Sequence, residues 1–250
     1  MHVVRPLLSY GVRWFLGGII VVALLFAVEG LYPLLAHNTL YAVLAKTPPT
    51  LPEETEWTWE VRPQRSDARL PNVLLLGDSI SRNYFPVVSE RLAGKANVYL
   101  FASSASIGDP RLLDQIKEFA ALENISFSVV HFNNGMHGWA YSEEQYREAF
   151  PAFLHVVREI TRPGGDLIWA TITPTRTDMP GGATNARVDA RNSIAYAIVA
   201  GEGIEIDDQH ALMERHQDLH EDSIHFNTEG ATLQGDKAAI VICSALGKGE

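Results

Sequence analysis

In NVLLLGDSI, residues 72–80, the continuous apolar run Asn72–Leu76 stops on Gly77-Asp78-Ser79. Successive strand side chains point to opposite faces. A run with no polar alternate therefore suits a strand buried on both sides. Ile80 to Leu92 then reads as a helix, so the chain turns at Gly-Asp-Ser from strand to helix.

The same alternation continues downstream. Val98–Ala102, Ser128–Phe132, Asp166–Ile172 and Gly203–Ile206 read as further strands. Asp109–Leu122 has helical periodicity, with Leu112, Leu113, Ile116 and Phe119 on one face. Ser142–Ile160 opens with Ser142 and Gln145 at capping-box spacing. Ala183–Ala200 and Thr228–Leu246 complete the helices, and Pro163-Gly164-Gly165 marks a turn before the fourth strand. Strands separated by helices imply right-handed crossovers, hence an α/β fold of three layers, α/β/α, around a five-stranded parallel sheet. Ligands in such sheets gather beyond the carboxyl ends of the strands, which is where Ser79 falls.

The chain has 250 residues, 46% hydrophobic and 20% charged, which is ordinary globular composition. The net charge of −10 and the lack of a basic stripe exclude a nucleic-acid partner. The one cysteine, Cys243, lies in the apolar stretch Ala238–Leu246 and reads as a buried thiol. It leaves no internal disulfide and no cysteine cluster for zinc; no metal or cofactor is expected.

Upstream, Trp14–Val28 (WFLGGIIVVALLFAV) carries no charge and follows Arg5 and Arg13. It reads as an uncleaved signal anchor within residues 1–45, the alternative being a cleaved signal peptide. With Glu53, Glu54 and Glu56 soon after it, the N-terminus lies inside and the domain outside the cytoplasmic membrane. The localisation expected is membrane-anchored and extracytoplasmic, or periplasmic or secreted after cleavage. Residues 46–71, with five prolines between Thr47 and Pro71, read as a stiff linker. Trp57 and Trp59 are expected to dock it onto the domain that spans 72–250, the alternative being the membrane interface.

Two motifs carry chemistry. A serine at a strand end and helix start sits beside free N–H groups and a partial positive charge, which stabilise a developing oxyanion. Asp and Ser are also common helix caps, the structural alternative at 78–79. The second motif is Asp222-Ser223-Ile224-His225-Phe226-Asn227, before the last helix. A serine hydroxyl needs a base to take its proton, and an imidazole oriented by a carboxylate supplies one. The plain alternative there is an acidic surface loop. No G-x-S-x-G elbow is present, which disfavours the α/β-hydrolase family.

Together these residues resemble the SGNH, or GDSL-type, hydrolases. Gly77-Asp78-Ser79-Ile80 looks like the first block of that family, and Asp222-x-x-His225 with Asn227 and Gly230 like the last. Ser106-Ile107-Gly108-Asp109 resembles the glycine block, and Asn133-Asn134-Gly135 the asparagine block. The four stand in the family's order, over about residues 72–246. The resemblance implies a flavodoxin-like strand order and a serine esterase. Ser79 would be the nucleophile, His225 the base and Asp222 its orienting acid. The oxyanion hole would come from the Ser79 and Gly108 N–H groups and the Asn134 side chain. The third block departs from Gly-x-Asn-Asp, so Asn133 stays open as the alternative donor, and the added Met136-His137-Gly138-Trp139 implies a variant pocket.

Asp78, His137 and Arg176 are candidate substrate contacts. Asp207-Asp208-x-His210 is a second-ranked catalytic pair, and His216 and His220, at helical spacing, read as a solvated helix face. Asn124-Ile125-Ser126 fits a glycosylation sequon. The expected activity is hydrolysis of a carboxylic ester, with an O-acetylated envelope glycan suggested by location and family analogy. The rivals are an O-acyltransferase using the same triad and a glycan-binding domain without catalysis.

Overall fold

The computed structural model describes residues 50–179 and 181–248. The leader around Trp14–Val28 lies outside these residues; among the described residues no helix is long and apolar enough to cross a membrane. The elements are β1 (Thr58–Val61), β2 (Asn72–Gly77), α1 (Ser79–Arg91), β3 (Asn97–Ser103), α2 (Pro110–Glu123), β4 (Phe127–Phe132) and α3 (Glu143–Ile160). There follow β5 (Thr161–Ala170), α4 (Asn185–Gly201), β6 (Glu205–Asp207), the short α5 (Gln209–Glu214), one 3₁₀ turn (Gln217–Leu219) and α6 (Thr228–Gly247).

The sheet order is β1-β3-β2-β4-β5-β6. Its five inner and far strands are parallel, in the flavodoxin-like order the resemblance implied. The sheet has six strands and is mixed, which corrects the expectation of five parallel ones. The extra strand is β1, antiparallel to β3, with Thr58 opposite Ser103 and Val61 opposite Leu100. It comes from the proline-rich stretch. TWEV is too short and too exposed to show strand patterning in sequence, and backbone pairing to an open edge is what forms it.

The β2 run explains the layers. Val73 and Leu75 pack on one face with Val98, Leu100, Val129 and Ile168, under α1 and α6. Leu74 and Leu76 pack on the other face with Phe101, Phe119, Phe132 and Trp169, under α2, α3 and α4. All four β2 side chains are at most 2% exposed, so each pleat of the strand feeds a separate core.

Helices α1 and α6 approach closely because Gly235 faces α1. A Cβ there would lie 2.6 Å from Val87 Cβ and 3.0 Å from the Tyr84 carbonyl. Gly235→Ala should therefore cost about 1–3 kcal/mol through overpacking, read from the denaturant midpoint at unchanged m-value.

Candidate active site

All the motif residues sit at the carboxyl edge of the sheet. Asp78 ends the β2 turn in extended conformation and caps α1, its Oδ1 accepting the Ile80 N–H at 2.9 Å. Ser79 is thereby the first residue of α1, where backbone N–H groups lack helical partners. Gly77 cannot carry a side chain: a Cβ would lie 2.1 Å from Ser81 Oγ. At the other end of the chain, Asp222 Oδ1 accepts the N–H groups of Ile224 and His225, both at 2.7 Å. This local turn folds the carboxylate back onto its own histidine. Asp222 Oδ2 lies 2.8 Å from His225 Nδ1, and His225 Nε2 lies 2.7 Å from Ser79 Oγ. With Nδ1–H donating to the carboxylate, Nε2 is the acceptor for the serine hydroxyl. Ser79 and His225 are 146 residues apart and meet because Asn83 of α1 donates to the Phe226 carbonyl at 2.8 Å.

The two middle blocks pack together. Asn134 Oδ1 accepts the Ile107 N–H and its Nδ2 donates to the Ala105 carbonyl, both at 3.0 Å. This fixes the amide against the glycine loop and leaves one Nδ2 hydrogen uncommitted. Asn133 turns the other way and donates to the Ala170 carbonyl at the end of β5, at 2.6 Å. Of the two amides, Asn134 is the one beside Gly108. The Gly108 N–H makes only a long 3.3 Å contact with Ser106 Oγ. Gly108 itself must be glycine, since a Cβ would press to 2.7 Å on the Tyr141 ring.

Comparison with known proteins agrees with this architecture. No family model matches the sequence, and no curated protein matches it significantly. Solved structures do match. One is a member of the lipolytic G-D-S-L family from Veillonella parvula, 19% identical at a TM-score of 0.55, over 69% of this chain and 98% of that one. The chain has the SGNH-hydrolase fold. A carbohydrate esterase family 3 protein from Talaromyces cellulolyticus shares it at 16% identity and TM-score 0.55, over 72% of this chain and 99% of that one. So does the C-terminal catalytic domain of peptidoglycan O-acetyltransferase A from Streptococcus pneumoniae, at 18% identity and TM-score 0.52, over 70% and 94%.

On this SGNH frame the secondary candidates separate. Asp78 is 1% exposed and serves as a cap, so burial removes it from direct substrate contact. Arg176 is exposed, and its backbone N–H donates to the Ser223 carbonyl at 2.9 Å, bracing the Asp222–His225 turn. Asp207 and His210 form no pair. Asp207, fully buried, bonds His131 Nε2 at 2.9 Å and Gln209 at 2.8 Å, while His210 Nδ1 bonds the Ile172 carbonyl. His216 and His220 do not share a helix. They flank the 3₁₀ turn, and His220 is buried, stacked on Phe226 at 4.0 Å. That corrects the solvated-face reading, because Phe226 needs a cover.

Sequence reasoning missed two residues of the edge. Glu53, from the proline-rich stretch, places Oε2 2.9 Å from His137 Nδ1 and accepts the Gly138 N–H on Oε1 at 2.8 Å. Arg191, 0% exposed on α4, donates to the carbonyls of Gly135, His137 and Gly138 at 2.7, 2.8 and 3.0 Å. It also stacks on Trp139 at 4.0 Å.

Burial works against the charged forms of all three groups that follow, and local partners overcome it. Asp222 is lowered to about 2, because two backbone N–H groups and the His225 ring outweigh its desolvation. His137 is raised above its ordinary 6.5, the Glu53 bond and the charges of Asp78, Glu53 and Glu56 outweighing burial. Glu53 is lowered below 4.5 by His137, the Gly138 N–H and Arg191. The sign follows for the Glu53–His137 pair. The His137 contribution to stability is complete below 6.5 and is lost as pH rises through its raised value. The Glu53 contribution is complete above 4.5 and is lost as pH falls through its lowered value. Glu53→Gln should therefore lower the His137 pKa, read by NMR titration, and flatten the loss of stability on the alkaline side.

Proposed function

We propose that the chain is a serine hydrolase of carboxylic esters and that its natural ester is an O-acetyl group on a glycan outside the cytoplasmic membrane. The observation that carries the reading is the 2.7 Å contact of Ser79 Oγ with His225 Nε2, with Asp222 2.8 Å behind the imidazole. A nucleophile, a base and an orienting acid within hydrogen-bond reach are what acyl transfer needs.

In this mechanism Ser79 Oγ attacks the ester carbonyl as its proton passes to His225 Nε2. The oxyanion takes hydrogen bonds from the Ser79 and Gly108 N–H groups and from the uncommitted Nδ2 hydrogen of Asn134. Collapse expels the alcohol, which receives the proton from His225. Water then gives a proton to His225 as it attacks the acyl-serine, and His225 returns that proton to Ser79 Oγ as the acid leaves. Asp222 remains ionised throughout and fixes the tautomer, consistent with its lowered pKa of about 2. Each oxyanion donor is worth on the order of 10²–10³ in turnover.

The acetyl-glycan part rests on two supports. The sequence carries an apolar leader followed by acidic residues. Two proteins of the same fold are, by name, a carbohydrate esterase and a peptidoglycan O-acetyltransferase. The second of these also favours a transferase reading, in which a sugar hydroxyl takes the place of water. Analysis of products formed from an acetyl donor with and without a glycan acceptor separates the two. A purely glycan-binding domain has no need of the 2.7 Å contact between Ser79 and His225, which supports the catalytic reading over it.

Fluorophosphonate labelling followed by peptide mapping tests the reading without knowledge of the substrate. Label on Ser79, with 4-nitrophenyl acetate hydrolysed by the wild type and not by Ser79→Ala, is the expected result. A folded chain that takes no label and cleaves no ester overturns it.

A further inference from the structure

The catalytic edge holds a second carboxylate–imidazole pair. Glu53 and His137 are 84 residues apart, yet their arrangement parallels that of Asp222 and His225. In both, one carboxylate oxygen takes imidazole Nδ1 and the other takes a backbone N–H from the same loop. In both, Nε2 faces away from the acid. For His225 that nitrogen meets Ser79. For His137 it has no hydrogen-bond partner among the described residues, and the side chain keeps 17% of its surface open.

His137 lies on the same edge of the sheet as the nucleophile. It lies in the loop that leaves β4 through Asn134. Its neighbour Gly138, at φ +66°, packs so tightly on the glycine loop that a Cβ would lie 2.1 Å from Ser106 Cβ. The wall next to His137 is aromatic. Trp57 packs on the His137 ring at 5.7 Å, and Arg82, one helical turn after Ser79, lies over both Trp57 and Trp59.

We propose that Glu53, Trp57 and His137 form the subsite for the alcohol portion of the ester, and that this portion is a sugar ring. The His137 Nε2–H donates to a ring hydroxyl or acetyl oxygen beyond the scissile bond, and Trp57 covers an apolar ring edge. Glu53 is a positioning residue: it holds the imidazole in the orientation that presents Nε2–H and supports its protonation. A pyranose offers oxygens around its rim and C–H groups on its faces, which suits a donor set against an indole. A simple aryl acetate engages neither. This inference deepens the hydrolase reading and rests on it.

The test compares kcat/KM for an O-acetylated xylo-oligosaccharide with that for 4-nitrophenyl acetate, in the wild type, Glu53→Gln, His137→Gln and the double variant, all as full-length chain. A hydrogen bond from a charged donor is worth about 10–100-fold in binding. The saccharide-to-aryl ratio should fall by that factor in His137→Gln and less in Glu53→Gln, with the loss mainly in KM. The double variant should be no worse than His137→Gln alone, since Glu53 acts through the imidazole. A proportional loss on both substrates overturns the subsite, as does additivity of the two substitutions. Fluorophosphonate labelling separates the two levels. An unlabelled wild type overturns the hydrolase reading and the subsite with it, whereas a labelled chain with an unchanged ratio overturns the subsite alone.

Discussion

Ser79→Ala and His225→Ala should each lower kcat on 4-nitrophenyl acetate by about 10⁴–10⁶, and the double variant should lose no more than either alone. The reason lies in the shared proton. A serine hydroxyl without a base is a weak nucleophile, and a base without the hydroxyl has no bond to make. Removing either ends the same event, so the second removal has little left to cost. Both side chains are partly open to solvent, and neither anchors a core. Thermal midpoints should therefore move little, which separates a chemical loss from unfolding. Asp222→Asn should cost less than either, because it disturbs the tautomer of His225 without removing a reacting atom. Additive losses in the double variant would show that Ser79 and His225 do not act as one unit.

The largest stability effect should come from Arg191→Met. Its guanidinium is buried and holds the carbonyls of Gly135, His137 and Gly138 together, with Tyr141 at 3.4 Å. These are loop carbonyls that no helix or strand satisfies. Methionine keeps part of the volume and removes every donor. The Gly138 carbonyl keeps the Tyr141 N–H and the Tyr141 carbonyl keeps Arg187, so the Gly135 and His137 carbonyls are the ones orphaned; at about 1–3 kcal/mol each, a loss of at least about 2 kcal/mol is expected in chemical denaturation. Arg191→Lys should recover only part of it, since one ammonium cannot reproduce a planar fork with several donors. Loss of less than about 1 kcal/mol in Arg191→Met would mean that the loop keeps its shape by other means. Activity should also fall, because the same loop leads from Asn134 to His137.

The parts of this molecule legible in sequence are those where local chemistry is unambiguous. NVLLL admits little but a doubly buried strand, and Gly-Asp-Ser at its end marks a serine at a helix start. Asp222 and His225 are legible for the same reason: their contact closes within three residues. Asn133 and Asn134 were not resolvable, because adjacent residues leaving a strand face opposite ways. Which way leads to the glycine loop depends on the strand order, with β2 and then β3 on one side of β4 and β5 on the other. Arg191 does leave a signal in the sequence. It stands at helical spacing between Val188 and Ile194 on the buried stripe of α4, and a cation there requires buried acceptors. Glu53 left none. Its partner is 84 residues away, in a stretch whose prolines and acids read equally well as a spacer.

The added strand also bears on solubility. β3, NVYLFAS, is fully buried along its length, and among the described residues β1 is the strand that lies along its outer side. Were residues before Arg62 cut away, β3 would present a bare row of amide donors and acceptors behind an apolar, aromatic-bearing segment, the template on which chains stack into fibrils. The exposed Thr58, Trp59 and Glu60 of β1 close that row and end it in a short, charged margin that a second molecule cannot easily extend.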